Sequence, residues 1–276
     1  MVSSFFILPW CQKESNMKSV KIASLKFGED RPKIIIPLAE DNAVDIINCA
    51  NFYRRQPGDM VEWRIDYFDD FDELEELVEL SKRVKTSIQK PLLATFRTLG
   101  EGGESAIGKS QYVEMYRYLI QAKAVDAIDI EFERGQEILD NLIPYAHKHQ
   151  VKVIVSYHDF VKTPLENDIV KRLQKMGQSE ADIVKMAVMP HDEAEVLALM
   201  NATHQASTLI DQPLITMSMG RLGKITRIAG EIFKSTASFA TIEGMSSAPG
   251  QMDVEDVEEC MNLLNLRVDD LDDDDF

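Results

Sequence analysis

Between residues 33 and 265 the sequence repeats one pattern eight times: a short, nearly continuous apolar run, then a longer amphipathic stretch, at roughly 25–35-residue spacing. The runs are KIIIPLA (33–39), DMVEWRIDYF (59–68), KPLLATFR (90–97), VDAIDIEF (125–132), VKVIVSYH (151–158), ADIVKMAV (181–188), PLITMSMG (213–220) and ASFATIE (237–243). Each has strand length, and the stretches that follow repeat their apolar residues at helical spacing. A strand that is apolar on both sides is covered on both sides, which means a parallel sheet flanked by helices. Eight such units in 276 residues predict a single (β/α)8 TIM barrel, an α/β fold typically near 250 residues. An open doubly wound sheet is the competing architecture. It would more often carry a Gly-rich phosphate turn after its first strand, and PLAEDNAV (37–44) has none.

Before the first unit, VKIASLKFGEDRP (20–32) predicts an N-terminal β-hairpin turning at Gly28-Glu29-Asp30. Residues 1–16 lack periodicity and read as a disordered extension. No linker interrupts 17–266, so those residues are expected to form one (β/α)8 domain, followed by an acidic tail over 267–276. The formal charge of −17 argues against nucleic acid as a partner, because binding phosphates needs a basic surface. No apolar stretch approaches the length of a membrane span. The three cysteines, Cys11, Cys49 and Cys260, are far apart and read as free thiols in a reducing cytoplasm.

In a parallel barrel, chemistry is done by inward side chains near the C-terminal ends of the strands. Period-two alternation selects them. In VEWRIDYF (61–68) the apolar set Trp63, Ile65 and Tyr67 must pack on helices, so Glu62, Arg64 and Asp66 are expected to point inward. In VIVSYH (153–158) the inward set is Ile154, Ser156 and His158, with His158 at the mouth. Lys185 lies on the next strand inside an apolar run, and adjacent strands are about 4.8 Å apart. Apolar surroundings and nearby cations are expected to depress its pKa, giving an amine able to condense with a carbonyl. A neighbouring histidine then moves protons. The residues alone thus reach a Schiff-base enzyme acting on a carbonyl. No His/Cys cluster has metal spacing, so no metal is expected.

At the level of motifs, EWRIDYF, PLLATFRTLGEGGE, SYHDFVKTP, DIVKMAVMP, ITMSMGRLGKITRIAGEIF and SSAPGQ closely resemble the type I 3-dehydroquinase family, in order from about residue 18 to residue 266. The resemblance implies a homodimeric barrel with no metal or organic cofactor, dehydrating the small molecule 3-dehydroquinate to 3-dehydroshikimate. It implies that Lys185 forms the imine, that His158 is the general acid and base, and that Glu101 holds the histidine. It places Glu62, Arg64 and Arg97 on the ring hydroxyls and the ketone side, and Arg227 on the carboxylate. Ser247 and Gln251 would come from a closing loop. Glu243, just before that loop, departs from the family pattern, as do the first 16 residues and the aspartate tail. An imine-forming aldolase on the same barrel is the alternative.

Overall fold

The computed structural model describes residues 17–242 and 248–265. Eight parallel strands form one sheet: β3 (Lys33–Leu38), β4 (Met60–Arg64), β5 (Leu92–Thr95), β6 (Ala127–Glu131), β7 (Lys152–Asp159), β8 (Ile183–Val188), β9 (Leu214–Ser218) and β10 (Ala237–Phe239). They pair in chain order, and β10 pairs with β3. Between the last two strands the barrel closes through the Leu214–Ser235 bridge and the Thr236 N–H bond to the Leu214 carbonyl, 2.7 Å. The expected TIM barrel is therefore present.

Two apolar layers follow from strand alternation. Inward residues such as Met60, Leu93, Ile154, Ile183 and Ile215 fill the barrel, while Val61, Trp63, Ala94, Val153 and Val184 face the helices. Those helices are α1 (Ala43–Tyr53), α2 (Leu74–Ile88), α3 (Lys109–Gln121), α4 (Gln136–Lys148), α5 (Glu166–Gly177), α6 (Glu193–Ala206), the short α7 (Ile225–Ile228) and α8 (Gly230–Phe233), and α9 (Val254–Leu263). In α2, Leu77, Leu80, Ser81, Val84 and Ile88 make the buried stripe, at i, i+3, i+4, i+7 and i+11. Each fully buried Leu or Ile contributes about 1.5–3 kcal/mol.

An N-terminal hairpin of β1 (Val20–Ile22) and β2 (Leu25–Phe27) plugs the bottom of the barrel, with Ile22 and Phe27 joining the inner layer. Its turn is Ala23-Ser24, not Gly28-Glu29-Asp30 as the sequence suggested. Ala23 takes φ 50°, a conformation its side chain does not advertise. Gly28 and Asp30, at φ 86° and 53°, instead bend the chain from the hairpin into β3. One other boundary differs: the strand read over 59–68 ends at Arg64 and continues as a 3₁₀ turn, Ile65–Tyr67. The helix after β7 starts at Glu166. The helix after β9 breaks at Ala229 into α7 and α8. The extension over 1–16, the tail over 267–276, Glu243 and Ser247 lie outside the described residues.

Candidate active site

At the C-terminal mouth of the barrel, eight of the nine residues given a catalytic or binding role from the sequence line one cavity that opens to solvent. They are Glu62, Arg64, Arg97, Glu101, His158, Lys185, Arg227 and Gln251. The ninth, Ser247, is not among the described residues. Phe160, Met217, Met219 and Phe239 add apolar wall.

Lys185 lies at mid-depth on β8, in register with Ser156 of β7, while His158 pairs with Ala187 one step nearer the mouth. Both side chains project inward. The Lys185 Nζ is 3.4 Å from Glu62 Oε1, 3.5 Å from Asp129 Oδ2 and 4.2 Å above the Phe239 ring. Its nearest charged neighbours are therefore anionic, contrary to the apolar, cationic setting expected from the sequence. The reason is strand alternation on β4 and β6, which brings carboxylates to the same inner face.

The His158 side chain is only 9% exposed. Its backbone N–H and its ring Nδ1 both reach Glu101 Oε2, at 3.0 and 2.9 Å. The Arg97 Nη1 also donates to this oxygen, at 3.5 Å. Oε2 is thus an acceptor, so Nδ1 carries the hydrogen and the free lone pair of the imidazole is on Nε2. Burial, reinforced by the Arg97, Lys185 and Arg64 cations, pushes the imidazole well below its usual 6.5. Burial raises the Glu101 carboxyl to about 8, against the pull of Arg97 and with help from Glu131 and Asp129. Both partners are driven toward their neutral forms, which leaves the Nε2 lone pair of the ring unprotonated.

Arg97 is buried in a carboxylate nest. It donates to Asp129 Oδ1 at 2.8 Å, Ser156 Oγ at 2.9 Å and Glu131 Oε1 at 3.4 Å. Burial alone would raise the Asp129 carboxyl, but Arg97 and Lys185 hold it below the usual range. Glu131 in turn accepts from the Thr98 N–H and hydroxyl, fixing the start of the loop that carries Glu101. Asp129 and Glu131 were not singled out from the sequence. The alternation filter that selected Glu62 and Arg64 would have found them, because Ala127, Asp129 and Glu131 share the inner face of β6. Asp66, expected to point into the barrel, does not line the cavity: it pairs with Arg64 from within the 3₁₀ turn.

Arg227 differs from the other cations. It is 1% exposed, and its guanidinium donates to the Phe239 and Pro249 carbonyls at 3.1 and 3.2 Å. Among the described residues no carboxylate pairs with it, and its Nε has no hydrogen-bond partner. Burial draws it down to about 10. A buried guanidinium in that state is a ready receptor for a small carboxylate, which it can bind through two parallel hydrogen bonds. Pro249 belongs to the segment that brings Ala248 and Gln251 over the cavity. Gly250, at φ +76°, lets that segment lie flat on Gly220, where a Cβ would come within 2.1 Å of the Gly220 carbonyl oxygen.

The arrangement can take a carbonyl compound bearing a carboxylate, offer it an amine, and move a proton beside that amine. Comparison with known proteins points the same way. The sequence model of the family described as type I 3-dehydroquinase matches residues 34–267. A 3-dehydroquinate dehydratase of Salmonella typhimurium is 41% identical over 251 residues, 90% of this chain and 99% of its own. The crystal structure of a type I 3-dehydroquinate dehydratase from Clostridium difficile, with covalent modified comenic acid, superposes with a TM-score of 0.86. It is 39% identical and covers 91% of this chain and 98% of its own. A 3-dehydroquinate dehydratase from Geobacillus kaustophilus superposes at 0.87 with 31% identity and the same coverage.

Proposed function

The chain belongs to the type I 3-dehydroquinase family, and on that premise we propose that it dehydrates 3-dehydroquinate to 3-dehydroshikimate through an imine on Lys185. The observation that carries this reading is the cavity itself. It joins an amine, a neutral imidazole and a buried guanidinium that has no carboxylate partner among the described residues.

The substrate carboxylate binds Arg227, and Arg64, Arg97 and Glu62 hold the ring oxygens on the opposite side. Lys185, having given up a proton, attacks the C3 ketone, and loss of water leaves an iminium. That cation occupies the place of the ammonium, so Glu62 and Asp129 offset its charge as before. The iminium acidifies the adjacent C2–H, and His158 Nε2 takes that proton to give an enamine. The enamine expels the C1 hydroxyl, which leaves as water with the proton held by His158. Hydrolysis of the conjugated iminium releases product and restores the amine. Glu101 keeps the imidazole in the tautomer this needs, and the segment of Ala248 and Gln251 shields the iminium from early hydrolysis.

We propose further that the enzyme is a cytoplasmic homodimer needing no cofactor. The free thiols Cys49 and Cys260 fit a reducing compartment, and among the described residues no helix is long and apolar enough to cross a membrane. The test of function is direct: incubate the protein with 3-dehydroquinate and follow the conjugated product by ultraviolet absorbance. Turnover is expected; a protein that leaves the compound unchanged contradicts the reading.

A further inference from the structure

We propose that Asp66 is a positioning residue that decides how Arg64 meets the substrate, an inference that rests on the function proposed above. Asp66 is wholly buried in the 3₁₀ turn that follows β4. That turn folds its carboxylate back on the side chain two residues earlier. Oδ1 accepts from Arg64 Nε at 2.8 Å and Oδ2 from Arg64 Nη2 at 2.7 Å, a two-point charge-assisted pair. The Tyr67 ring lies 4.9 Å from the guanidinium carbon, on its face. One edge and one face of Arg64 are therefore occupied by protein, leaving Nη1 with no hydrogen bond among the described residues.

The same carboxylate reaches across to the next strand's loop. Oδ1 also takes the Arg97 N–H at 3.1 Å, and Oδ2 takes the Glu104 N–H at 3.2 Å. Its main-chain carbonyl accepts the Ser105 hydroxyl at 2.7 Å. Gly103 makes this approach possible: a Cβ there would lie 1.8 Å from the Arg97 carbonyl oxygen and 3.0 Å from Asp66 Oδ2.

Two consequences follow for recognition. Asp66 fixes the orientation of Arg64, so only the Nη1–Nη2 edge of the guanidinium is left for a ligand. The Arg64 charge is also neutralised from behind, whereas Arg227 keeps an unneutralised charge among the described residues. Asp66 thereby assigns the carboxylate end of the ligand to Arg227 and the oxygen-bearing edge to Arg64.

The experiment is a double-mutant cycle of Asp66→Asn and Arg64→Ala, with kcat and KM for 3-dehydroquinate measured on all four proteins and thermal unfolding on each. Asp66→Asn is expected to lower kcat/KM on the order of 10- to 100-fold, mainly through KM, as loss of a hydrogen bond to a charged group does. In the Arg64→Ala background the same change should cost several-fold less, since the Arg64 pair is gone and only the Arg97 and Glu104 N–H bonds are still affected. Equal losses in both backgrounds overturn the proposal, because a general structural role would be felt with or without Arg64. If Asp66→Asn does not fold, Asp66→Glu, which keeps the charge but displaces it by one methylene, is used in the same cycle; a loss that Arg64→Ala abolishes supports the proposal, and equal losses in both backgrounds overturn it. A native enzyme without turnover overturns the functional reading beneath it, while an active native enzyme with additive losses overturns the role of Asp66 alone.

Discussion

Replacing Arg227 by Met should weaken the enzyme and stabilise the fold at once. Burial draws the guanidinium from 12.5 to about 10, and at about 1.4 kcal/mol for each tenfold change carrying this charge costs folding about 3 kcal/mol. Methionine keeps most of the aliphatic stem and removes the charge. Against that gain, the Phe239 and Pro249 carbonyls each lose a donor, about 1 kcal/mol apiece. The balance is a stabilisation of about 1 kcal/mol, or about 2 °C in Tm for a chain of this size. Activity should move the other way. Removing one partner of a buried, hydrogen-bonded charge pair costs about 2–5 kcal/mol, which is about 30- to 5,000-fold in kcat/KM. The assays are thermal unfolding and initial rates of 3-dehydroquinate dehydration. A variant with native kcat/KM would show that the carboxylate is held elsewhere. A variant that loses several degrees of Tm would show that Arg227 is a structural prop and not a charge kept for a ligand.

Two further outcomes are expected. His158→Ala should still form a borohydride-reducible adduct while losing roughly 10²- to 10⁴-fold in kcat, the usual reach of general acid–base catalysis; near-native turnover would remove the imidazole from the mechanism. Glu101→Gln should become more stable relative to the native protein as pH rises, because the native carboxyl is raised from 4.5 to about 8. Between those values the folded state holds a proton that the unfolded chain releases, so native stability falls with rising pH while the glutamine variant is spared. Thermal unfolding should show the gap in Tm widening from pH 5 to pH 8.5, and a flat or narrowing gap would contradict the assignment.

The barrel was legible because parallel strands buried on both sides read as apolar runs, and the few polar residues inside them mark the inner face. Glu62, Arg64, His158 and Lys185 were found that way, and the family motifs supplied Glu101, Arg97, Arg227 and Gln251. What escaped depends on contacts distant in sequence. The Lys185 counterions come from 123 and 56 positions away, so the residues around Lys185 in sequence show an apolar run, and only alternation on β4 and β6 marks the carboxylates that meet it. Glu101 meets the His158 ring across 57 positions, by virtue of a loop anchored on Glu131. The hairpin turn escaped because Ala23 adopts a positive φ while the glycine nearby serves a different bend. Asp66 has the parity of an inward residue, yet the strand ends two residues before it and the 3₁₀ turn redirects the carboxylate onto Arg64.

The central claim is that Lys185 becomes covalently joined to the substrate. It is tested most directly by adding borohydride during turnover of 3-dehydroquinate and locating the adduct by peptide mass spectrometry. The account predicts one reduced adduct, on the peptide containing Lys185, absent from Lys185→Ala, which should also lose turnover. An adduct on another lysine, or a Lys185→Ala variant that dehydrates the substrate at the native rate, would contradict it.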